Sequence, residues 1–403
     1  MWTWICIAAA IAGNPVWIDH VGTTSIDGSA VDQNGVSFSV TGLSGLVWAG
    51  ENTYLAVMDN SNHVVILEAE YDGRGLDVDT VGGLSFDRDG DYEDIALNAA
   101  GDILLFDEGT QQIVRFDAAI GTLIDTVNLP AIYSQHRGNL GCESFDQMDG
   151  GEVWIANEEA LIPDGPRATP DNGSWVRVLH NDPEGASQQF AYQVDAMPGP
   201  YFPFTNDGQS GLIAVVSLPD GTLLAMERSL AFAGIFFETR IYHVTTEGAT
   251  DVAGLDGLEG AQFMPVTKVL LYVGGHLNLE GLCLGRATGA DRVMLLGVVD
   301  DGDPLSSNQL VVFELGGLSM CGADINGDGD VGTDDLRAMV SAWGDCPPGG
   351  PCDEDLDGSG VVDVNDLLAM VGTWGDCPSS GLCDEDLDGS GAVDANDLLE
   401  PLS

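Results

Sequence analysis

The stretch YEDIALNAAGDILLFDE, residues 92–108, decides the fold. It holds a short apolar run opened by Glu93, a turn containing Asn98 and Gly101, and a second apolar run at 103–106 that ends in Asp107 and Glu108. Runs of this length, rich in Val, Ile, Leu and Phe and bounded by Gly, Asp and Asn, read as β-strands. Further runs stand at 54–58, 64–67, 113–116, 153–156, 176–179, 223–226, 241–244, 293–298 and 310–313. Helical periodicity is almost absent from residues 19–318.

The pattern recurs as a unit. Its openings are residues 42–46, 92–97, 141–145, 212–216 and 278–282, and its second strands end at Met58-Asp59, Asp107-Glu108, Asn157-Glu158, Glu227-Arg228 and Asp300-Asp301. Residues 250–275, with a strand at 266–273, complete a sixth unit. Repeated four-stranded units of this size predict a mainly β fold, a β-propeller of six blades around a channel. A β-sandwich has fewer strands and no such repeat.

Charge narrows the partners. The 403 residues carry 12 Lys and Arg against 65 Asp and Glu, a net charge of −53, and Lys268 is the sole lysine. Phosphate backbones and anionic lipid would repel such a chain, which excludes nucleic acid and membrane surfaces and makes cations its natural partners. No apolar run reaches the ~18 residues of a membrane span. Residues 1–13 are uncharged, with Ile5, Ile7 and Ile11 before a small-residue series, and read as a secretion signal. Of eight cysteines, Cys321, Cys346, Cys352, Cys377 and Cys383 crowd the end of the chain, a usage that fits a secreted or cell-surface protein.

Residues 42–46 with 56–60, 92–96, Arg137 to Ser144, 224–229, 239–242 and 278–282 resemble, in order, the esterase-like phytase domain family over about residues 20–317. The resemblance implies calcium-assisted hydrolysis of phosphate or carboxylate esters at the channel mouth. Arg137, Arg228 and Arg240 are the scarce cations inside its motifs. A guanidinium grips phosphate or carboxylate through two hydrogen bonds.

Innermost propeller strands line the channel, so Glu93, Glu143 and Glu280 are expected to meet on one rim. Asp59, Asp107, Glu108, Glu158, Glu227, Asp300 and Asp301 would stand at the next strand's end. Converging carboxylates repel one another unless cations sit among them, which makes Ca2+ the expected cofactor. The same glutamates have a purely structural alternative, capping backbone NH groups or pairing with the arginines. The Gly-x-Ser-x-Gly, His-Glu-x-x-His and phosphate-loop motifs are all missing, which leaves metal-assisted hydrolysis or no catalysis.

Residues 321–403 form a repeat in which Asp324, Asp355 and Asp386 stand 31 residues apart. The first copy supplies Asp324, Asn326, Asp328, Asp330 and Asp335; the second Asp355, Asp357, Ser359, Asp363 and Asp366; the third Asp386, Asp388, Ser390, Asp394 and Asp397. With glycine at the sixth position, these are the oxygen ligands of a calcium loop. Leu336, Met339, Val340 and Trp343, then Leu367, Met370, Val371 and Trp374, follow at the spacing of one helix face. The expected unit is a small α domain of loops with exiting helices, the third copy truncated. It resembles the type I dockerin and its EF-hand-like relatives, which implies calcium-dependent folding and a docking protein, although the Trp-Gly-Asp-Cys endings depart from that pattern. Disulfides Cys321–Cys346 and Cys352–Cys377 compete with Cys346–Cys352 and Cys377–Cys383.

Two functions follow. The first is a secreted calcium-dependent hydrolase of phosphate or other esters with an attachment tail. The second is a non-catalytic extracellular propeller with the same anchor. With eleven basic residues before the tail, a small or weakly charged ester is easier to bind than phytate.

Overall fold

Strands that follow one another through tight turns pair with their sequence neighbours, and the chain does so five times. The computed structural model describes residues 16–71, 76–98, 100–148, 151–182, 186–198, 208–231, 236–289, 292–301, 307–317, 333–346 and 361–371. After β1 (Trp17–Ser25) comes a hairpin of β2 (Ser29–Val31) and β3 (Ser37–Ser39). Blade one holds β4 (Leu43–Trp48), β5 (Thr53–Met58), β6 (Ser61–Tyr71) and β7 (Leu76–Gly90). Blade two holds β8 (Tyr92–Leu97), β9 (Ile103–Asp107), β10 (Gln112–Phe116) and β11 (Leu123–Asn128). Blade three holds β12 (Cys142–Gln147), β13 (Val153–Asn157), β14 (Ser174–Asn181) and β15 (Ser187–Val194). Blade four holds β16 (Gln209–Ser217), β17 (Leu223–Ala231), β18 (Phe236–Thr245) and β19 (Thr267–Gly274).

Blade five is assembled from both ends of the domain. It holds β20 (Leu279–Gly289), β21 (Arg292–Val299) and β22 (Gln309–Gly316), and β1 completes it, running antiparallel to β22 from Trp17↔Gly316 to Ser25↔Gln309.

The described propeller therefore has five blades, and the expectation of six is corrected. The strand assigned to a sixth blade is β19, the outermost strand of blade four, which pairs with β18. The long loop before it made it look like a new unit. That loop is strapped down by Arg177, which is wholly buried: Nε and Nη2 each donate to Asp164 at 2.8 Å, Nη1 to the Val252 carbonyl at 3.2 Å and Nη2 to the Leu255 carbonyl at 3.1 Å.

Side chains alternate across a strand, so a blade with a neighbour on each face needs apolar residues at consecutive positions. On β5, Tyr54, Ala56 and Met58 pack with Met294, Leu296 and Val298 of blade five, whereas Leu55 and Val57 pack with Ile95, Leu105 and Val114 of blade two. The continuous runs in the sequence are the record of this two-sided burial. The outermost strands escape it, and every residue of β11 is exposed. Cys142 and Cys283 are free and buried.

The second compact unit contains α1 (Thr333–Ser341), a short ribbon of β23 (Gly344–Asp345) with β24 (Val361–Val362), and α2 (Val364–Val371). Both helices begin where the sequence places an exit from a loop. Asp363 and Asp366 cap α2 reciprocally: Asp363 Oδ1 accepts from the Asn365 NH, and Asp366 Oδ2 from the Asp363 NH, each at 2.7 Å. Of the other expected calcium ligands, Asp335 falls within α1. Asp324, Asn326, Asp328, Asp330, Asp355, Asp357, Ser359 and the third copy (Asp386, Asp388, Ser390, Asp394, Asp397) lie outside the described residues, as do residues 1–13. Both candidate partners of Cys346, namely Cys321 and Cys352, lie outside them too. Among the described residues no helix is long and apolar enough to cross a membrane.

Candidate functional site

A β-bulge on the innermost strand builds the site. In β8, Tyr92 faces Asp107 and Asp94 faces Phe106, which leaves Glu93 as the extra residue. In β12 the extra residue is Glu143, in β16 it is Ile213, and in β4 Ser44 and Gly45 together stand opposite Val57 alone. An inserted residue bends its strand and re-aims a side chain, and Ser44, Glu93 and Glu143 line the cavity at the channel mouth. Glu280 follows Leu279 at the same place in β20. The inner ring over blades one to five is thus Ser44, Glu93, Glu143, Ile213 and Glu280.

A second ring stands at the end of the neighbouring strand. The NH groups of Asp59, Glu108, Glu158 and Asp300 donate to the carbonyls of Gly42, Asp91, Gly141 and Asn278 at 2.7, 2.8, 2.7 and 3.1 Å. In blade four this place belongs to Arg228, opposite Gly211. Gly211 is required there, because a Cβ would stand 2.5 Å from Cγ of Glu158.

The two rings enclose a cavity of about 260 Å³ lined by Ser44, Asp59, Glu93, Glu143, Glu158, Arg228, Glu280 and Asp300, with Asn139, Leu140 and Gln209. Ser44 Oγ donates to Glu93 Oε2 at 2.7 Å and Gln209 Nε2 to Glu158 Oε1 at 2.6 Å. Arg228 pairs with Glu280 and donates from Nη1 to Asn278 Oδ1 at 3.0 Å. The Glu143 carboxylate accepts no hydrogen bond among the described residues. A wider groove of about 660 Å³ beside Trp175, Phe263 and Met264 carries no titratable side chain, so it offers surface without chemistry.

Burial moves the acids of the mouth in one direction. Glu93 is held well above the usual carboxylate range by burial and then by the charge of Asp59. Glu143 is likewise raised by burial, followed by Glu93, Glu158, Glu280 and Glu108. Burial lifts Asp59 to about 7, assisted by Asp91, and Glu158 to about 8 against the pull of Arg228. Burial works against the charge of Arg228, yet Glu280 and Glu158 outweigh it and hold the guanidinium protonated.

Part of this set has the makings of a cation site. One carboxylate oxygen each from Asp59, Asp91 and Glu93 lies within 4.8 Å of the others. Asp59 Oδ1 and Glu108 Oε2 are buried without a hydrogen-bond donor. An all-oxygen, carboxylate-rich set with unsatisfied lone pairs suits a hard divalent ion such as calcium rather than a thiophilic one.

Of the six residues the sequence offered for catalysis, the fold brings Glu93, Glu143, Glu280 and Arg228 together. Arg137 and Arg240 lie elsewhere in hydrogen-bonding roles. Arg137 donates to the carbonyls of Ala160 and Gly165, the second at 2.8 Å, and so clamps a loop. Arg240, on β18, reaches Glu238 of the same strand at 2.7 Å and Asp195, just past β15, at 3.2 Å. Ser44 and Asp91 were missed. Asp91 precedes the apolar run of blade two as Gly42 and Gly141 precede theirs, and that positional equivalence is the signal that marks it.

The sequence model of the Phytase-like family, described as esterase-like activity of phytase, matches residues 39–302. Similar solved structures include a streptogramin B lyase, at 10% identity over 74% of this chain and 97% of that one with a TM-score of 0.30. A gluconolactonase from Xanthomonas campestris is similar at 12% identity over 75% and 98% (TM-score 0.32), and a luciferin-regenerating enzyme at 14% over 68% and 91% (TM-score 0.34). No curated protein matches the chain.

Proposed function

The chain belongs to the Phytase-like family, and from that premise we propose that it is a calcium-dependent hydrolase of phosphate or carboxylate esters working at the propeller mouth. The observation that carries this reading is that Asp59 and Glu108 each keep one buried carboxylate oxygen, Oδ1 and Oε2, without a donor among the described residues, while the other oxygen accepts from Asn60 and from the Gly141 NH. Buried charge without a partner is costly, and a divalent ion is the counter-charge that suits it. Asp59, Asp91 and Glu93 would hold calcium, which when bound polarises an ester oxygen and lowers the pKa of an adjoining water. Arg228 binds and orients the substrate through its guanidinium. Glu143, whose carboxylate accepts no hydrogen bond among the described residues, would in its ionised form take the proton from the attacking water and then return it to the leaving alcohol, the step that its burial-raised pKa favours.

The terminal repeat serves as a calcium-folded attachment module for a docking protein, its cysteines as disulfide staples, and the whole chain as a secreted or cell-surface protein. The ligand spacing of residues 321–403 and the uncharged residues 1–13 support this part.

The test is turnover of 4-nitrophenyl phosphate and 4-nitrophenyl acetate by the full chain in calcium and in chelator. We expect turnover that chelation removes and that Glu143→Gln lowers by about a hundredfold or more, the scale of a lost general base. Absence of turnover on both esters in calcium would favour the non-catalytic binding propeller.

A further inference from the structure

The mouth has two unlike poles. In a ring of five blades, the seam between blades one and two lies across the channel from blade four. That seam carries Asp59, Asp91 and Glu93, and blade four carries Arg228. Blade four is also the blade whose bulge residue is apolar, Ile213, buried at 2% exposure. Of the second ring only the blade-four place is not acidic, and it holds the single cationic side chain that lines the cavity among the described residues.

Arg228 is held along one side only. Its Nη1 serves Asn278 and Glu280, and Asn278 is itself fixed by donating to Asp300 Oδ2 at 2.9 Å. Nε and Nη2 donate no hydrogen bond among the described residues. Those two nitrogens form one edge of the guanidinium, with parallel N–H groups spaced for the two oxygens of a carboxylate or phosphoryl group. The edge takes one anion. A second or third anionic group on the same ligand would have to fit into the same cavity of about 260 Å³, where no second cationic side chain lines the wall among the described residues and Glu280 already takes the other side of Arg228.

Building on the hydrolase reading above, we propose that the site takes a small ester bearing a single anionic group. That group is seated on the Nε–Nη2 edge of Arg228, and the ester bond lies toward Asp59, Asp91 and Glu93. Polyphosphorylated molecules such as inositol hexakisphosphate are excluded by size and charge.

The experiment compares three substrates with the full chain in calcium at fixed ionic strength. Monoethyl succinate and diethyl succinate differ by one charge and are followed by ethanol release; inositol hexakisphosphate is followed by phosphate release. Wild type is expected to prefer the monoethyl ester by about tenfold in kcat/KM, the scale of a charge-assisted bidentate contact. Arg228→Gln should bring that ratio near one, mainly through KM, and inositol hexakisphosphate should be slower by about a hundredfold or more in wild type. A ratio unchanged in Arg228→Gln, or fast phosphate release from inositol hexakisphosphate, overturns the proposal and leaves the hydrolase reading standing. No turnover of any of the three overturns the proposal, and the hydrolase reading falls with it only if 4-nitrophenyl phosphate and 4-nitrophenyl acetate are not turned over either. Should Arg228→Gln fail to fold by circular dichroism, inhibition of wild type decides: propanoate is expected to bind about tenfold tighter than propanamide, and equal inhibition overturns the proposal.

Discussion

Two acid-rich regions of the propeller differ in what partners their buried acids, although burial raises Glu227 as it raises the acids of the mouth. Between blades three and four, Glu227 is only 1% exposed, yet Lys268 Nζ donates to its Oε1 at 2.5 Å and to Asp195 Oδ1 at 2.7 Å. Tyr192 Oη donates to Glu227 Oε1 and Tyr242 Oη to Asp195 Oδ2, both at 2.7 Å, and the ammonium lies 4.1 Å from the Tyr242 ring centroid. Burial pushes Asp195 up, but hydrogen bonds from Lys268 and Tyr242 bring it below its ordinary value. At the mouth, Glu93 is nearly as buried and receives one serine hydroxyl. The chain has a single lysine and placed it where acids hold blades together. Acids satisfied by the protein are architecture; acids left unsatisfied are waiting for something from solution.

The sharpest way to break this contrast is to neutralise the mouth. Asp59→Asn with Glu93→Gln is expected to lower kcat/KM by about a thousandfold, the scale of a lost preorganised charge site. It should also raise the thermal midpoint of the calcium-free protein, because mutual repulsion is removed, and abolish any rise in midpoint on adding calcium. If these acids were architecture like Glu227, the double variant would instead melt earlier and the calcium response would persist.

The converse experiment removes the cation from the satisfied region. Lys268→Met strands Glu227 and Asp195 and should cost about 3 kcal/mol in urea unfolding, the range for breaking a buried pair from one side. The loss should be the same with and without calcium. A calcium-sensitive loss would mean that the two regions are one site.

How far the sequence reveals this division depends on which contacts are local. Strand positions were legible because blades are buried on both faces, and the inner-ring glutamates were legible because each opens its run. Even Ile213 could be read, since 212–216 aligns with the other openings and sets an apolar residue where Glu93 stands. The blade count was not legible. One outer strand follows a long loop held by Arg177, and the last strand of blade five comes from Trp17–Ser25, a pairing between opposite ends of the domain. Nor could the partners of Arg137 and Arg240 be read, since a guanidinium in a motif looks the same whether it faces a substrate or the carbonyl of Gly165.

Acidity separates the two regions further. Asp59 and Glu158 have carboxyls near 7 and 8 in the folded protein and near 4 when unfolded, so between those values the native state binds more protons. The calcium-free protein should therefore lose stability as pH rises from about 4 to 8, because the unfolded chain releases those protons first. Calcium requires the deprotonated acids, so its stabilising effect should grow over the same window. Thermal melts at several pH values, with calcium and with chelator, measure both slopes. A calcium-free midpoint that is flat or rises across this window would mean that the mouth acids are already paired.

The smallest expected effect gives the finest comparison, because it removes one hydroxyl from each region. Tyr192→Phe takes a donor from Glu227, which keeps Lys268; the loss should be about 1 kcal/mol, the net worth of one hydrogen bond, and independent of calcium. Ser44→Ala takes from Glu93 the one hydroxyl that lowers its carboxyl, so that carboxyl should rise further and surrender its proton less readily. Because a protonated Glu93 cannot serve a cation, calcium affinity should fall by about three- to tenfold, more at pH 6 than at pH 8, with little change in the chelated protein's midpoint. Calorimetric titration at the two pH values measures it. A calcium-independent loss from Ser44→Ala, matching that from Tyr192→Phe, would show that the Ser44–Glu93 contact is one more architectural hydrogen bond.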